Sequence, residues 1–407
     1  MKIIKKNISF NIQNCIINSL ILLIYFFELT NSYATPQIAL HTRNRCINCH
    51  LNETGSGVRN EYGWATVRDF SLVSLSDWDF LYYSNSLLDE KLYLGCDIRG
   101  QLARSFKPNS VRRFFVKEIA VHSSFDVANW LSLEGSYNFA DIVYRNHGQQ
   151  SWTASAVLDI MPDFPRLRLG KFQPAIGVRY DDHTMLIRNF ANPNIFAKPI
   201  VAIDYSEYGC EINYTFQNFS PYFIFNLSGG IFASANLNKV QFSAVGGELP
   251  LVNSNEPSFL VRAIMNEITG FSDFTTTYVG ISYFHNSDLN LINAFSGLNI
   301  YEFISVLFEY MLGKKSDLLD INNFLAIFNF HIFKPLFFEL RYEQAQTFYN
   351  SLDLKNVSNQ AVAGMHFFPL PYIELKAEMR YMKTQETPQI LNQYEGLLYY
   401  LQIHCFY

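Results

Sequence analysis

The sequence predicts an all-β protein, a transmembrane antiparallel β-barrel of about 16 strands that follows a short N-terminal segment. Three observations predict this fold class. Aromatic residues make up 16% of the 407 residues, whereas charged residues make up only 16%, well below the quarter that is typical of soluble domains. From about Lys91 onward, apolar and polar residues alternate with a period of two, as strands with two different faces require. After the N-terminal leader, no stretch of about 18 apolar residues free of polar interruption predicts a transmembrane helix.

Residues 1–34 have the features of a cleaved signal peptide. Three lysines lie among the first six residues, an apolar core follows at Cys15–Phe27, and Ser32-Tyr33-Ala34 places small residues before a cleavage site. This order is that of an export signal rather than of a transmembrane helix. We therefore expect an exported mature chain made of an N-terminal segment, 35–90, and a barrel, 91–407. The formal net charge of −5 argues against nucleic acid as a partner, because such binding needs clustered Lys and Arg.

The length of the alternating region sets the expected number of strands. A membrane strand takes roughly 9–11 residues plus its turn, so 91–407 accommodates about 16 strands, with 14 and 18 as alternatives. Glu374, Lys376, Glu378 and Arg380 fall on one strand face, and four charges on one face belong in water. A soluble β-sandwich would alternate in the same way, since one of its faces also meets solvent.

Aromatic pairs and the last strand favour the membrane barrel over the sandwich. The pairs Phe114-Phe115, Phe337-Phe338, Phe367-Phe368 and Tyr399-Tyr400 lie near predicted strand ends, where aromatic girdles meet the membrane interface. The chain also ends in an amphipathic strand with Tyr407 as its last residue, similar to the assembly signal of bacterial outer-membrane barrels. The sequence therefore predicts the bacterial outer membrane as the location and its lipid as a partner.

The N-terminal segment contains the sequence Cys46-Ile47-Asn48-Cys49-His50. In a C-x-x-C-H motif, two thiols attach to the vinyl groups of a haem and the adjacent histidine binds its iron. A redox dithiol would need a βαβ context, and a structural zinc site would need a second pair of ligands, for which His41 is the only local residue. A simple disulfide or an unused motif is the third alternative. We therefore expect one covalent haem c on Cys46 and Cys49, with His50 as the proximal ligand.

The remaining cysteines of the mature chain are Cys96, Cys210 and Cys405. Each is isolated in a strand-like context, where cysteine behaves as a small apolar residue. An exported protein could join two of them in a disulfide, and the sequence leaves this open.

Two stretches resemble bacterial outer-membrane proteins in which a monohaem cytochrome c segment is fused to a porin-like barrel. They are CINCHLNETGSGVRNEYG and LRLGKFQPAIGVRYDDHTMLIRN, the latter spanning Leu167 to Asn189. The resemblance implies electron transfer at the outer membrane. Because the segment 35–90 is short for a free-standing cytochrome c and joins the barrel without a long linker, we expect it to fold into the barrel mouth or interior and plug the barrel. The resemblance further implies a periplasmic electron carrier as partner and an extracellular donor such as Fe(II), as in outer-membrane iron oxidases. Two alternatives stay open: a passive diffusion porin with a plug or sensor segment, and a barrel that sheathes a separate cytochrome.

The second stretch also contains the candidates for a sixth iron ligand. His183 and Met185 lie two residues apart beside Asp181 and Asp182, and electron-transfer haems use His or Met as ligands. A neighbouring carboxylate can hold a ligating imidazole in one tautomer. His183 is the preferred candidate and Met185 the weaker one. The aspartate pair could equally be a solvated turn or a weak cation site in the lumen.

Overall fold

The computed structural model describes most of the chain from His50 onward. The described residues are His50, 58–68, 71–73, 84–105, 113–140, 152–161, 164–180, Asp182, 185–191, 199–201, 205–216, Ser220, 222–236, 242–244, 247–249, 255–267, 275–301, 303–350, 353–387 and 394–407. No helix in this part of the chain is both long and apolar enough to span a membrane.

The described part of the chain contains one short helix and nineteen strands, which occur in the following order. The elements are α1 (Glu61–Arg68), β1 (Ser86–Leu87), β2 (Leu92–Ser105), β3 (Arg113–Ala128), β4 (Leu131–Asn138), β5 (Trp152–Leu158), β6 (Arg166–Phe172), β7 (Glu207–Phe216), β8 (Phe223–Phe232), β9 (Phe242–Ala244), β10 (Gly247–Leu249), β11 (Ser258–Glu267), β12 (Thr275–Asn286), β13 (Leu289–Ile300), β14 (Ile304–Lys315), β15 (Leu319–Phe333), β16 (Leu336–Tyr349), β17 (Leu354–Leu370), β18 (Ile373–Thr387) and β19 (Tyr394–Phe406). A single 3₁₀ turn, Leu186–Arg188, lies between β6 and β7.

Sixteen of these strands, β2–β8 and β11–β19, form one closed antiparallel barrel. Each strand pairs with the next along the chain, β8 pairs with β11, and the last strand β19 pairs with β2 to close the ring. β9 and β10 form a separate hairpin, and the two residues of β1 pair with the first two residues of β2. Closure leaves no unpaired strand edge, as a hydrocarbon environment requires. The predicted fold class and the expected number of about 16 strands are both confirmed.

Burial along the strands is the reverse of that in a soluble protein. On β2, Asp97, Arg99 and Gln101 are buried, whereas Leu94 and Ile98 on the opposite face are 42% and 45% exposed. On β18, Glu378 and Arg380 are buried, whereas Leu375 and Met379 are exposed. On these strands polar side chains therefore line the lumen and apolar side chains form the outer, lipid-facing surface.

The two ends of the barrel differ in the length of their connections. The end that holds the start of β2 and the C-terminus has short connections such as 129–130, 334–335 and 371–372. The opposite end has the long connections 173–206 and 233–257. In bacterial outer-membrane barrels the short turns are periplasmic and the long loops are extracellular. We therefore call the end with the termini the periplasmic mouth.

Two of the aromatic pairs lie differently from the expectation of an interfacial girdle. Phe337 and Phe368 are buried and pack in one cluster with Trp64, Tyr372 and Phe406. Their neighbours in sequence point the other way, and Phe338 is 37% exposed. Because adjacent strand residues alternate between faces, only one member of each pair can reach the membrane interface.

Candidate functional site

The described residues of the connection between β6 and β7, residues 173–206, lie in the lumen and pack against the barrel wall. Its described residues Met185, Ile187 and Phe190 are buried in one apolar cluster with wall residues that include Leu291 and Leu325. These wall residues lie on the lumenal face of β13 and β15, which is therefore apolar where the loop docks. We call residues 173–206 the lumen loop.

Strand β6 ends earlier than the sequence predicts. The alternation suggests a strand that runs to about Gly177, but β6 ends at Phe172. Gly177 has a φ of +56°, and a Cβ atom there would collide with the carboxylate of Glu309. Glycine is thus needed at this position both for its left-handed backbone and for the close approach to the wall.

Arg188 ties the two limbs of the lumen loop to the wall. Its Nη2 donates hydrogen bonds to the carbonyl oxygens of Ile176 and Val178, each at 2.8 Å. The same nitrogen lies 2.8 Å from Oε1 of Glu309 on β14. Glu309 is fully buried and also accepts a hydrogen bond from Nδ2 of Asn293 at 2.9 Å. Because a buried carboxylate needs a charged or hydrogen-bonding partner, this contact fixes the loop in place.

The 3₁₀ turn of the lumen loop is held by polar groups of β15 and β16. Nδ2 of Asn323 donates to the carbonyl oxygens of Leu186 at 3.1 Å and Asn189 at 2.9 Å. The backbone N–H of Leu186 donates to Glu343, and Oγ1 of Thr347 accepts from the backbone N–H of Ala191 at 2.9 Å. The wall thus satisfies backbone groups that a short turn leaves without intrahelical partners.

Asp182 lies at the centre of a group of lumen charges. Its carboxylate is 2.9 Å from Nη2 of Arg380 on β18, 3.3 Å from Nη2 of Arg341 on β16 and 3.8 Å from Nζ of Lys117 on β3. Burial alone would raise the pKa of Asp182, but Arg380, Lys117 and Arg341 together hold it well below its usual value. We call Asp182 with these three cations and their counter-charges Glu339, Glu343 and Glu378 the lumen charge cluster.

Two cations of this cluster, Arg341 and Arg380, and the neighbouring Lys376 also contact the wall carboxylates. Arg341 Nε is 2.9 Å from Oε1 of Glu343, and Lys376 Nζ is 2.7 Å from Oε1 of Glu378. Arg380 pairs with Glu378 and lies 4.2 Å above the ring of Tyr400. Charges of both signs therefore share this level of the lumen, where they are close to one another and little exposed.

A second group of contacts places the N-terminal segment at the periplasmic mouth. His50 forms an antiparallel bridge with Arg59, and the guanidinium of Arg59 lies 5.0 Å above the ring of Phe406. In α1, Trp64 stacks on Tyr372 with ring centroids 5.6 Å apart and meets Tyr407 edge-on at 5.9 Å. These aromatic contacts fasten the segment to the ends of β18 and β19.

Hydrogen bonds add to this attachment. The amide of Asn85 donates to the carbonyl oxygens of Arg59 at 2.8 Å and Leu94 at 3.2 Å. The hydroxyl of Ser86 donates to Glu61 at 2.8 Å, and the backbone N–H of Leu72 donates to the carbonyl oxygen of Phe368 at 2.9 Å. The first residue of α1 and the residues after the helix are thus both held at the mouth.

The residues predicted to bind haem are only partly among those described. His50 lies at the periplasmic mouth, whereas Cys46, Cys49 and His183 lie outside the described residues. Met185 is 2% exposed and belongs to the apolar cluster of the lumen loop, so it would have to leave this cluster to bind iron. Among the described residues, no group of three His, Cys, Asp or Glu side chains is arranged to hold a metal ion.

The three other cysteines carry free thiols. Cys96, Cys210 and Cys405 are partly buried, and none forms a disulfide. Cys96 and Cys405 alternate with Asp97 and His404, so their side chains share the outer face of the barrel with its apolar residues.

The partners that hold the lumen loop leave no local signal in the sequence. Arg188 and Asp182 lie within the second stretch quoted above, but their partners Glu309, Arg341 and Lys117 are more than sixty residues away in sequence. The alternation along β18 predicts a set of water-facing charges, and this set includes Arg380. Nothing local indicates that a lumen loop, rather than water alone, faces them.

Comparison with solved structures agrees with this architecture. OprB of Pseudomonas putida matches with a TM-score of 0.51 and 12% identity over 79% of this chain and 95% of its own. The outer membrane channel DcaP of Acinetobacter baumannii matches with a TM-score of 0.51 and 10% identity over 78% and 97%. No family model matches the sequence, and no curated protein matches it. This chain therefore has the porin-like β-barrel fold of these outer-membrane proteins.

Proposed function

We propose that the protein transfers electrons at the outer membrane through one c-type haem carried at the periplasmic mouth of its barrel. In this proposal Cys46 and Cys49 attach the haem and His50 binds its iron. A periplasmic carrier protein exchanges electrons with the haem, and an extracellular donor such as Fe(II) supplies them. The haem contributes one-electron redox chemistry, and the barrel residues contribute its position and surroundings.

The observation that carries the proposal is the attachment of the motif-bearing segment to the barrel. His50 bridges Arg59, which contacts Phe406, and Trp64 follows at the aromatic rim. The segment thus continues directly into the mouth of the barrel. Aromatic side chains there offer an apolar wall, and an apolar setting is one of the means by which proteins adjust a haem potential.

The expected haem site is tested by the covalent attachment of haem. The full-length protein, produced with a cytochrome c maturation system, should retain haem after denaturing electrophoresis and show a c-type optical spectrum. Cys46→Ala together with Cys49→Ala should lose the covalent haem, whereas Cys210→Ala, a free thiol on β7, should keep it. A parent protein without covalent haem would refute the proposal.

The iron ligands and the direction of electron flow need separate measurements. His50→Ala should lose the low-spin spectrum while the thioether bonds persist, and His183→Gln should change it only if His183 is the sixth ligand. In liposomes that contain a reducible dye, external Fe(II) should reduce the interior dye only through haem-loaded protein. Failure of the haem-loaded protein in this assay would exclude Fe(II) as donor.

A second candidate function is that of a diffusion porin, and the lumen favours it. The lumen loop and the lumen charge cluster place charged side chains inside a closed 16-stranded barrel, where charges select among passing solutes. The protein without haem should then conduct ions in planar bilayers, and Asp182→Asn should shift its selectivity towards anions. Conductance in the Cys46→Ala, Cys49→Ala variant would show that passage of solutes does not depend on haem.

A further inference from the structure

Six lumen-facing side chains at the periplasmic mouth form one continuous row of alternating imidazoles and carboxylates. They lie on six adjacent strands, β3, β2, β19, β18, β17 and β16, and are His122, Asp97, His404, Glu374, His366 and Glu339. We call them the histidine–carboxylate row. Three of the nine histidines of the chain thus meet at one level of the lumen, where neither the haem proposal nor the lumen loop requires them.

Four of the five contacts within the row are hydrogen bonds. Asp97 accepts from Nε2 of His122 at 3.1 Å and from Nε2 of His404 at 2.8 Å. Glu374 lies between two imidazoles in the same way, 3.1 Å from Nδ1 of His404 and 2.6 Å from Nδ1 of His366. The row ends at Glu339, whose Oε2 is 3.6 Å from Nε2 of His366.

The number of protons in the row follows from these contacts. An ionised carboxylate only accepts hydrogen bonds, and a neutral imidazole donates from one nitrogen only. His404 faces a carboxylate oxygen with each of its nitrogens, so either the imidazole carries both protons or one of the two carboxyl groups is protonated. His366 makes only one such hydrogen bond, from Nδ1 to Glu374, because the 3.6 Å between Nε2 and Glu339 is too long for a second one. The row therefore holds at least one proton more than three neutral imidazoles and three carboxylates would hold.

We propose that the histidine–carboxylate row is a proton-binding site of the lumen wall whose occupancy sets the charge of the periplasmic mouth. With the additional proton bound, the six groups carry a net charge of about −2, and without it about −3, by counting donors and acceptors. Histidine changes charge between pH 5 and 8. Rising pH thus makes the mouth more negative and favours the entry of cations over anions.

The groups that face the row from neighbouring elements are charged as well. Arg99 on β2 lies 3.9 Å from Asp97 and 3.1 Å from Glu118 on β3. Lys376 on β18 acts on His366, and Arg59 of the N-terminal segment acts on Asp97. These cations neutralise part of the carboxylate charge but, being Arg and Lys, keep their own charge across the range in which imidazoles titrate. The pH-dependent part of the charge therefore belongs to the row.

The row also reaches the lumen loop through one shared residue. The Oε1 atom of Glu339 lies 3.6 Å from Nη1 of Arg341, whose Nη2 lies 3.3 Å from Asp182. A change in the charge of the row therefore acts on Arg341, and through Arg341 on the anchor of the loop.

Reversal potentials in planar bilayers test the proposal. With the full-length protein in a salt gradient, the cation-to-anion permeability ratio should rise about threefold between about pH 5 and pH 8. The double variant His366→Gln, His404→Gln should lose most of this rise. His285→Gln is the matched control, because His285 on β12 stacks on the outer-face residues Tyr283 and Phe259. This control should keep the full rise.

Folding of each variant is checked by the heat-dependent shift in electrophoretic mobility of the barrel. If the double variant does not fold, Glu374→Gln replaces it, because this single change removes the carboxylate shared by two imidazoles and should weaken the pH response. A double variant, or a Glu374→Gln protein, with the full response of the parent would overturn the proposal, since the charge change would then come from groups outside the row, such as His331. The assay involves no electron transfer, so its outcome leaves the haem proposal to its own test.

Discussion

Replacing Arg188 with methionine should release the lumen loop while the barrel stays folded. Arg188 donates to Ile176 and Val178 and pairs with the buried Glu309. Methionine keeps much of the volume of the side chain but supplies neither the charge nor the donors. The change therefore leaves Glu309 buried with no charged partner in direct contact.

The size of the effect follows from the burial of the pair. Removing one partner of a buried ion pair costs about 3–5 kcal/mol, whereas an exposed pair contributes about 0–1 kcal/mol. Glu309 is fully buried and Arg188 is 14% exposed, so we expect a cost near the lower end, about 3 kcal/mol. Since 1.4 kcal/mol is a factor of ten, the open state of the loop should become roughly 100-fold more populated. The cost applies to the loop and not to the sixteen paired strands.

Hydrogen exchange and single-channel recording both measure this opening. Backbone amides that the loop buries, such as those of Gly177 and Ala191, should exchange roughly 100-fold faster in Arg188→Met. Channel current should become noisier or larger because the loop no longer stays on the wall. The mobility shift of the folded barrel on heating should be unchanged.

Two further variants test whether the unpaired charge of Glu309 causes the opening of the loop. Adding Glu309→Met to Arg188→Met removes the unpaired charge, and replacing a buried pair by apolar residues is often close to neutral, so much of the protection should return. Arg166→Met is the matched control, since Arg166, the first residue of β6, pairs with Asp159 just after β5, and both side chains are about a third exposed. If Arg188→Met shows the exchange and current of the parent, the loop is held by its apolar contacts and the reasoning from Glu309 is wrong.

Three other predictions concern the loop anchor, the mouth and the lipid face. The neighbouring cations hold the pKa of Asp182 well below its usual value against the effect of burial. The free energy that Asp182 contributes to holding the loop should therefore be complete above about pH 4 and lost only as the pH falls below that value. Amide exchange of the loop, measured against pH, checks this, and Asp182→Asn should remove the acid-dependent step. Trp64→Ala should cost about 3–5 kcal/mol of docking and allow protease to release the N-terminal segment from an intact barrel, whereas Tyr62→Ala, at a half-exposed position of the same helix, should not. Leu401→Arg, on the lipid face of β19, should destabilise the barrel by up to about 2–4 kcal/mol, measured by urea unfolding in lipid vesicles, and an effect no larger than that of Leu401→Ala would contradict the assignment of the faces.

The barrel was predictable because its signal is local. Alternation on β2 and β18 assigns Asp97 to the lumen and Leu375 to the lipid by position alone, and the structure agrees. The number of strands follows from the length of the chain and the thickness of the membrane. Both deductions need only neighbouring residues and a fixed strand geometry.

The partners of the lumen loop were not predictable from local patterns. Asp182 and Arg380 are 198 positions apart, and only closure of the ring brings β3, β16 and β18 around one loop. The sequence did single out the stretch that contains Asp182 and Met185, but for its ability to bind iron rather than for docking. One signal was present: Leu325 and Ile327 are apolar on the lumenal face of β15, where a water-filled lumen would favour polar residues.

The two candidate functions make opposite demands on the periplasmic mouth. The rim contacts of the N-terminal segment lie on Phe337, Phe368, Tyr372 and Phe406, a group confined to β16–β19 and their turns. A haem held there would gain an apolar wall, while solutes would have to pass beside it and the histidine–carboxylate row. If the docked N-terminal segment both holds the haem and narrows the pore, its release by Trp64→Ala should raise the conductance and change the haem spectrum together. Conductance that rises while the haem spectrum stays constant would instead place the haem away from this rim and favour the diffusion porin.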